Sequence, residues 1–183
     1  MKRYIFLTSV IFLYIFVAYK SRIFHTYHTT MNTKIIQSKT KLATLDSSYK
    51  IGSSKHIKIE KLYFPQRKTL SYYMYGDLGF SRDFLMFITS TFKAKIDTDV
   101  KFSIYSDDGF RLKIDDKTVC QYTKSRPLKK TTCKTHITKG KHTLFIKYFQ
   151  GYGMLGLKGI YRIMGKNYYI GQNSKYLDFY AQD

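Results

Sequence analysis

The sequence predicts an all-β protein: an antiparallel β-sandwich of jelly-roll type, preceded by an apolar N-terminal signal or anchor helix. Three observations carry that prediction. Short runs along most of the chain alternate apolar and polar residues with a period of two, the pattern of half-buried antiparallel strands. The composition, with 18 Tyr, 14 Phe and a single Glu (Glu60), suits strands and argues against a helical bundle. Gly and Asp punctuate the runs, and no stretch after residue 25 shows a long helical period.

The N-terminus comes first. Met1-Lys2-Arg3 precedes the uncharged run Tyr4–Tyr19, and Lys20 and Arg22 follow. A basic start and an apolar run are the first two parts of a secretory signal. A small-x-small cleavage site is missing, because Val17-Ala18-Tyr19-Lys20 places bulky and charged groups there. As a helix this run reaches about 24 Å, short of a hydrocarbon core of about 30 Å. Ile23 and Phe24 extend it, with Lys20 and Arg22 snorkelling. The reading favours a retained signal-anchor (residues 1–24, membrane contact through 4–24) over a cleaved signal. It places the rest of the protein outside the cytoplasm, periplasmic or at the cell surface, or secreted if the signal is cleaved. Residues 25–55, rich in Thr, Ser, Lys and His, read as a polar basic linker with a short strand near Lys34–Gln37.

Residues 56–183 read as the domain. "HIKIEKLYF" sets Ile57, Ile59 and Leu62 against charge. "DFLMFITSTFKAKI" is a longer strand, and "DVKFSIYS" alternates Val100, Phe102 and Ile104 with Lys101, Ser103 and Tyr105. "FRLKIDDKTV" points Phe110, Leu112 and Ile114 inward, and Asp115-Asp116 makes a turn. "KHTLFIKYFQ" puts Leu144, Ile146 and Tyr148 on one face and Phe145 and Phe149 on the other. "GMLGLKGIYRIMG" and "KNYYIG" continue the series. Cys120 and Cys133 are the only cysteines, and in an exported domain they most simply form one disulfide.

The net charge of +20, from 32 Lys+Arg against 12 Asp+Glu, invites a polyanion partner. Much of it lies outside the domain, however: residues 1–55 hold nine basic residues and one acid. Eight more basic residues fall within Lys117–Lys141, read as a loop that contains no acid. Lys124, Arg126, Lys129, Lys130 and Lys134 in that loop are candidates for gripping an anionic polymer. Only Tyr122 interleaves there, so stacking on single-stranded nucleic acid is not favoured, and nucleic acid is not the expected partner. No catalytic triad, phosphate loop or His-rich metal motif is present, and adjacent aspartates do not make a glycosidase pair across a cleft. The expectation is a non-enzyme with no catalytic residue.

The acids are the sharper clue. Asp107-Asp108 ends one strand and precedes Gly109. Two adjacent carboxylates repel unless a cation or donors offset them, and hard oxygens at a glycine turn suit Ca²⁺. The string Tyr105-Ser106-Asp107-Asp108-Gly109-Phe110-Arg111-Leu112-Lys113-Ile114-Asp115-Asp116 resembles the signature of the protective-antigen fourteen-kilodalton domain. So do Gly140-Lys141-His142-Thr143-Leu144-Phe145-Ile146-Lys147-Tyr148-Phe149 and the Gln150-Gly151-Tyr152-Gly153 segment that precedes the strand Met154–Tyr161. The resemblance covers about residues 57–183. The Trp and Gly usual in that family's early strand are absent from "FLMFITSTFKAKI", and Asp116-Lys117 stands where the family prefers Asp-Gly.

The resemblance implies a β-sandwich found in flocculin and adhesin lectins, which bind a terminal sugar through Ca²⁺. By that likeness Asp107 and Asp108, joined by a cis peptide, hold the ion, and Gln150 and Gly151 complete its protein shell. Asp107, Asp108, Gln150 and Gly153 then face the sugar, and Tyr152 is chemically suited to stack on it. Many family members keep the Ser-Asp-Asp-Gly corner as structure alone. The expected partner is a glycan or polysaccharide, with Ca²⁺ as the possible cofactor. The alternatives are a structural or assembly protein of the cell envelope with the same fold, and an anionic-polymer binder. The sequence carries no reading of oligomeric state.

Overall fold

The computed structural model describes residues 29–181, all β and turn, so the expected signal or anchor over residues 1–24 lies outside the described residues. Among the described residues no helix is long and apolar enough to cross a membrane.

Two antiparallel sheets face each other. One runs in the order β2 (Ile51–Ile59), β1 (Met31–Ser38), β6 (Phe84–Ala94), β11 (Gly140–Gln150), β8 (Phe110–Ile114) and β9 (Lys117–Tyr122). Its seventh strand, β14 (Leu177–Tyr180), pairs with the later half of β6, and β1 pairs with the earlier half. The second sheet runs β10 (Lys129–Ile137), β7 (Thr98–Asp107), β12 (Leu155–Ile163) and β13 (Lys166–Tyr169), with β3 (Tyr63–Arg67) also on β12. A small ribbon, β4 (Ser71–Tyr72) and β5 (Gly76–Asp77), completes the set.

The period-two pattern explains the layers, because alternate side chains of a strand leave opposite faces. In β7, Val100, Phe102 and Ile104 are buried while Lys101, Ser103 and Tyr105 face out. They meet Ile88, Phe92, Leu112, Ile146 and Tyr148 of the other sheet in one core. β6 is buried along almost its whole length because it is covered on both faces. On its outer side Leu85 packs with Leu42, Leu45 and Phe149 in a second cluster.

That second cluster corrects the reading of residues 25–55 as a linker. From Thr30 onward the segment is part of the domain. β1 is an interior strand between β2 and β6. The loop between β1 and β2 folds over the outer face of the larger sheet, where Asp46 pairs with Arg111 at 2.8 Å and Lys147 at 3.8 Å. Only the short strand near Lys34–Gln37 was visible beforehand, because the polar outward residues of β1 mask its buried Met31, Thr33 and Ile35.

The basic loop over Lys117–Lys141 is also corrected. It is two strands, β9 and β10, which sit at the edges of different sheets. Cys120 on β9 is bonded to Cys133 on β10, with Cα atoms 5.6 Å apart. The disulfide therefore joins the two sheets. Asp115-Asp116 forms the expected β8–β9 turn with both residues at positive φ. His142 is buried, stacks on Phe92 at 5.3 Å, and contacts the Asp115 carboxylate and the Thr138 carbonyl oxygen, a structural role.

Replacing both cysteines by serine should lower unfolding stability by about 3 kcal/mol, the chain-entropy worth of a loop of roughly 14 residues. Urea denaturation with and without the bridge measures it, and a difference under about 0.5 kcal/mol would show that the inter-sheet bridge contributes little.

Candidate functional site

The corner between β7 and β8 is built around two buried carboxylates. β7 ends on Ser106-Asp107, Asp108-Gly109 turns, and β8 begins at Phe110. The Asp107–Asp108 peptide bond is cis, as the resemblance implied. Gly109 is required for space: a Cβ there would lie 2.6 Å from the Phe149 ring and 2.6 Å from the Tyr122 carbonyl oxygen.

Asp108 is 2% exposed and saturated with donors. Its Oδ1 accepts from the backbone N–H of Arg126 at 3.0 Å and from the Ser125 hydroxyl. Its Oδ2 accepts from the backbone N–H of Gly151 at 2.8 Å. Gly151 is itself hemmed in, since a Cβ there would come 2.8 Å from the Leu42 carbonyl oxygen. Its own carbonyl accepts the Asp83 N–H at 2.8 Å.

Asp107 is 6% exposed and far less satisfied. The Gln66 amide reaches its Oδ2 only at 3.5 Å. Burial, and then the negative charge of Asp108, push its carboxyl up to about 6; Gln66, the Leu128 N–H and the Arg126 charge offset only part of this. Arg126 lies over the Tyr122 ring at 4.1 Å and donates to Ser106 Oγ at 2.8 Å and Thr131 Oγ1 at 2.9 Å. Burial lowers its pKa, which the charges around it partly restore.

The loop after β11 meets this corner. The Tyr148 hydroxyl lies within hydrogen-bond reach of both the Asp107 carbonyl oxygen and Gln150 Oε1, which share its single proton. Gln150 is fully buried, and its Nε2 donates to the Met154 carbonyl at 2.9 Å. Tyr152, by contrast, is 82% exposed. With Gly153, Met154, Lys68, Ser81 and Arg82 it lines a cavity of about 340 Å³. Gln66, at the end of β3, reaches Asp107, and Lys68 just beyond it reaches the cavity.

The charge and chemistry of this corner fit a hard divalent cation. Asp107 supplies a buried carboxylate whose donors, Gln66 and the Leu128 N–H, offset its charge only in part, and carboxylate oxygens are of the type Ca²⁺ takes. Gln150 is positioned differently from a free ligand, since both ends of its amide already serve the loop. Among the described residues no group of three or more His, Cys, Asp or Glu side chains gathers around one point, so carbonyl or ligand oxygens would complete any shell.

The candidate basic residues part company. Lys124 lies in an isolated bridge with Thr44, Arg126 is stacked at the corner, and Lys129, Lys130 and Lys134 sit on β10. Arg126 is therefore a residue of the aspartate corner, which its sequence neighbours could not reveal. Ser125, Gln66 and Asp83 are equally remote in sequence from the pair they support. The one available cue was Tyr148 and Gln150, two apart on a strand and hence on one face.

No protein-family model matches the sequence, and no curated protein matches it. Solved structures do match. A PA14 sugar-binding domain from an RTX adhesin aligns over 75% of this chain and 92% of its own, at 16% identity and TM-score 0.58. An anti-sigma factor domain-containing protein aligns over 85% of this chain and 49% of its own, at 15% identity and TM-score 0.64. The epithelial adhesin 6 A domain from Candida glabrata, solved with Galb1-3GlcNAc, aligns over 86% and 89%, at 14% identity and TM-score 0.56. The chain has the PA14-type fold.

Asp107 gives a pH signature. Its folded pKa of about 6 exceeds the unfolded value, about 3.9. The folded state thus holds a proton that the unfolded state releases between those values. This group's contribution to stability is greatest below about pH 4 and is lost as pH rises through about 6. In chelating buffer, the thermal stability of the wild type relative to Asp107→Asn should fall from pH 4 to pH 7. A difference that stays constant over that range would overturn the shift.

Proposed function

We propose that this protein is a glycan-binding module of adhesin type, displayed outside the cytoplasm, with the sugar seated between the Asp107–Asp108 corner and the Gln150–Met154 loop. The observation that carries the reading is the 2.8 Å bond from Gly151 N–H to Asp108 Oδ2. It brings a buried acidic pair beside a loop that exposes Tyr152 over a cavity. An exposed ring flanked by polar groups suits the apolar face of a pyranose. Two neighbours with this fold support it, one named as a sugar-binding domain and one solved with a disaccharide. The residues act here by binding alone, and the protein is read as a non-enzyme.

The proposal includes Ca²⁺. Asp107 and Asp108 would hold it, with Gln150 and Gly151 directly behind them, and the ion would offset the carboxylate repulsion and accept sugar hydroxyls. Residues 4–24 would tether the module to a membrane. A purely structural corner, in a protein of envelope assembly, draws support from the saturated Asp108 carboxylate.

A glycan array run with Ca²⁺ and with chelator tests the proposal. Binding is expected with Ca²⁺ and absent with chelator, and millimolar Ca²⁺ should raise the Tm of the wild type but not of Asp107→Asn. Tyr152→Ala should weaken glycan binding about tenfold, ~1.4 kcal/mol, and leave the Tm unchanged. Glycan binding that persists in chelator would remove the metal from the mechanism. No glycan binding under either condition, with no Tm shift, would leave the structural corner.

A further inference from the structure

The outer face of the smaller sheet carries a second arrangement, away from the aspartate corner. Strand register sets its side chains in rows. In one row Lys134 of β10 stands opposite Lys101 of β7, which stands opposite Arg162 of β12. In the row four residues along, beyond the uncharged Thr132, Ser103 and Ile160, Lys130, Tyr105, Lys158 and Tyr63 line up across β10, β7, β12 and β3. Neighbouring strands lie about 4.8 Å apart, and like charges directly opposite are destabilising. The sheet nevertheless places three cations side by side.

Local compensation is slight. Asp99 lies 3.6 Å from Lys134. Among the described residues, Lys101, Lys130, Lys158 and Arg162 have no carboxylate within 4.0 Å. Lysines on an exposed strand are a common guard against edge-to-edge pairing, which accounts for those of edge strand β10. It does not account for Lys101 and Arg162, because β7 and β12 are interior strands. Tyrosines hold the lysines in place: Tyr105 has the Lys130 and Lys158 ammonium groups at 5.7 and 5.2 Å, and Tyr169 has those of Lys158 and Lys61 at 5.7 and 5.8 Å.

We infer that this face binds an anionic polysaccharide, one bearing sulfate, phosphate or carboxylate groups, through the Lys101, Lys130, Lys134, Lys158 and Arg162 lattice. Charge complementarity selects the class, since an acidic chain laid across the rows relieves their mutual repulsion. The tyrosines argue against single-stranded nucleic acid, which gains affinity by stacking bases on open aromatic faces. Here Tyr105 and Tyr169 are engaged by ammonium groups, and Tyr63 and Tyr169 are tilted by 58° rather than coplanar. The site is independent of the proposed Ca²⁺ corner, so the protein would hold a terminal sugar and an acidic chain on separate surfaces.

The test uses the full chain, with dextran sulfate and an oligothymidylate of equal charge as probes, at about 50 and about 200 mM salt. Dextran sulfate should bind more tightly than the oligonucleotide, with a steep salt dependence and no change in chelator. Lys101→Gln with Arg162→Gln should lower its affinity at least tenfold and flatten the salt slope. A control of equal net charge on the larger sheet and its covering loop, Lys41→Gln with Lys55→Gln, should stay within twofold of wild type. Equal losses in the two variants would overturn the site in favour of diffuse charge, and tighter oligothymidylate binding would overturn the ligand class. Loss of the dextran sulfate signal in chelator would assign it to the Asp107 corner instead.

Discussion

The Asp108 carboxylate gathers three segments that are distant in sequence. It lies just past the end of β7, yet its oxygens accept hydrogen bonds from Ser125 and Arg126 in the segment between β9 and β10, and from Gly151 after β11. A buried carboxylate without partners costs several kcal/mol. Hydrogen bonds to an ionised group contribute on the order of 1.5–3 kcal/mol each. Three such bonds offset that cost, and they tie the corner, the Arg126 segment and the Tyr152 loop to one carboxylate. Gly109 and Gly151 follow from the same requirement, because the packed neighbours leave no room for a side chain at either place.

Asp107 is the counterpart. It shares the burial but has weaker partners, so its charge is offset only in part. The two adjacent residues thus differ: Asp108 holds the surrounding backbone through its hydrogen bonds, while the Asp107 charge is offset only in part. Tyr148 and Gln150 extend this division, as their buried hydrogen bonds tie the Asp107 carbonyl to the Met154 carbonyl and let Tyr152 project into solvent.

β7 connects the protein's three regions. Its inward residues, Val100, Phe102 and Ile104, fill the core, its outward Lys101 and Tyr105 stand in the cationic rows, and its last residue opens the aspartate corner. The period of two makes such sharing possible, because each face of a strand answers to a different environment. The +20 charge resolves in the same way: Arg126 is consumed at the corner, Arg111 and Lys147 pin the β1–β2 loop through Asp46, and Lys101, Lys130, Lys134, Lys158 and Arg162 of β7, β10 and β12 collect on one face with Asp99 beside Lys134.

Local pattern alone determined the β character, the inward sets of β7, β8 and β11, the Asp115-Asp116 turn and the importance of Asp107-Asp108. Each of these depends on residues within a few positions of one another, where period and turn chemistry are readable. The disulfide partners were legible by count, since only one pair exists, but not the fact that they clip two sheets. Tertiary structure decided what depends on distant segments meeting. It placed β1 inside the larger sheet although its sequence reads as polar, and it divided an apparent loop into edge strands of opposite sheets. It turned Arg126 inward to the aspartates and set Lys134, Lys101 and Arg162 in one row. Strand register and sheet order are long-range pairings, and a single strand's alternation says which face a side chain takes but not which neighbour it will face.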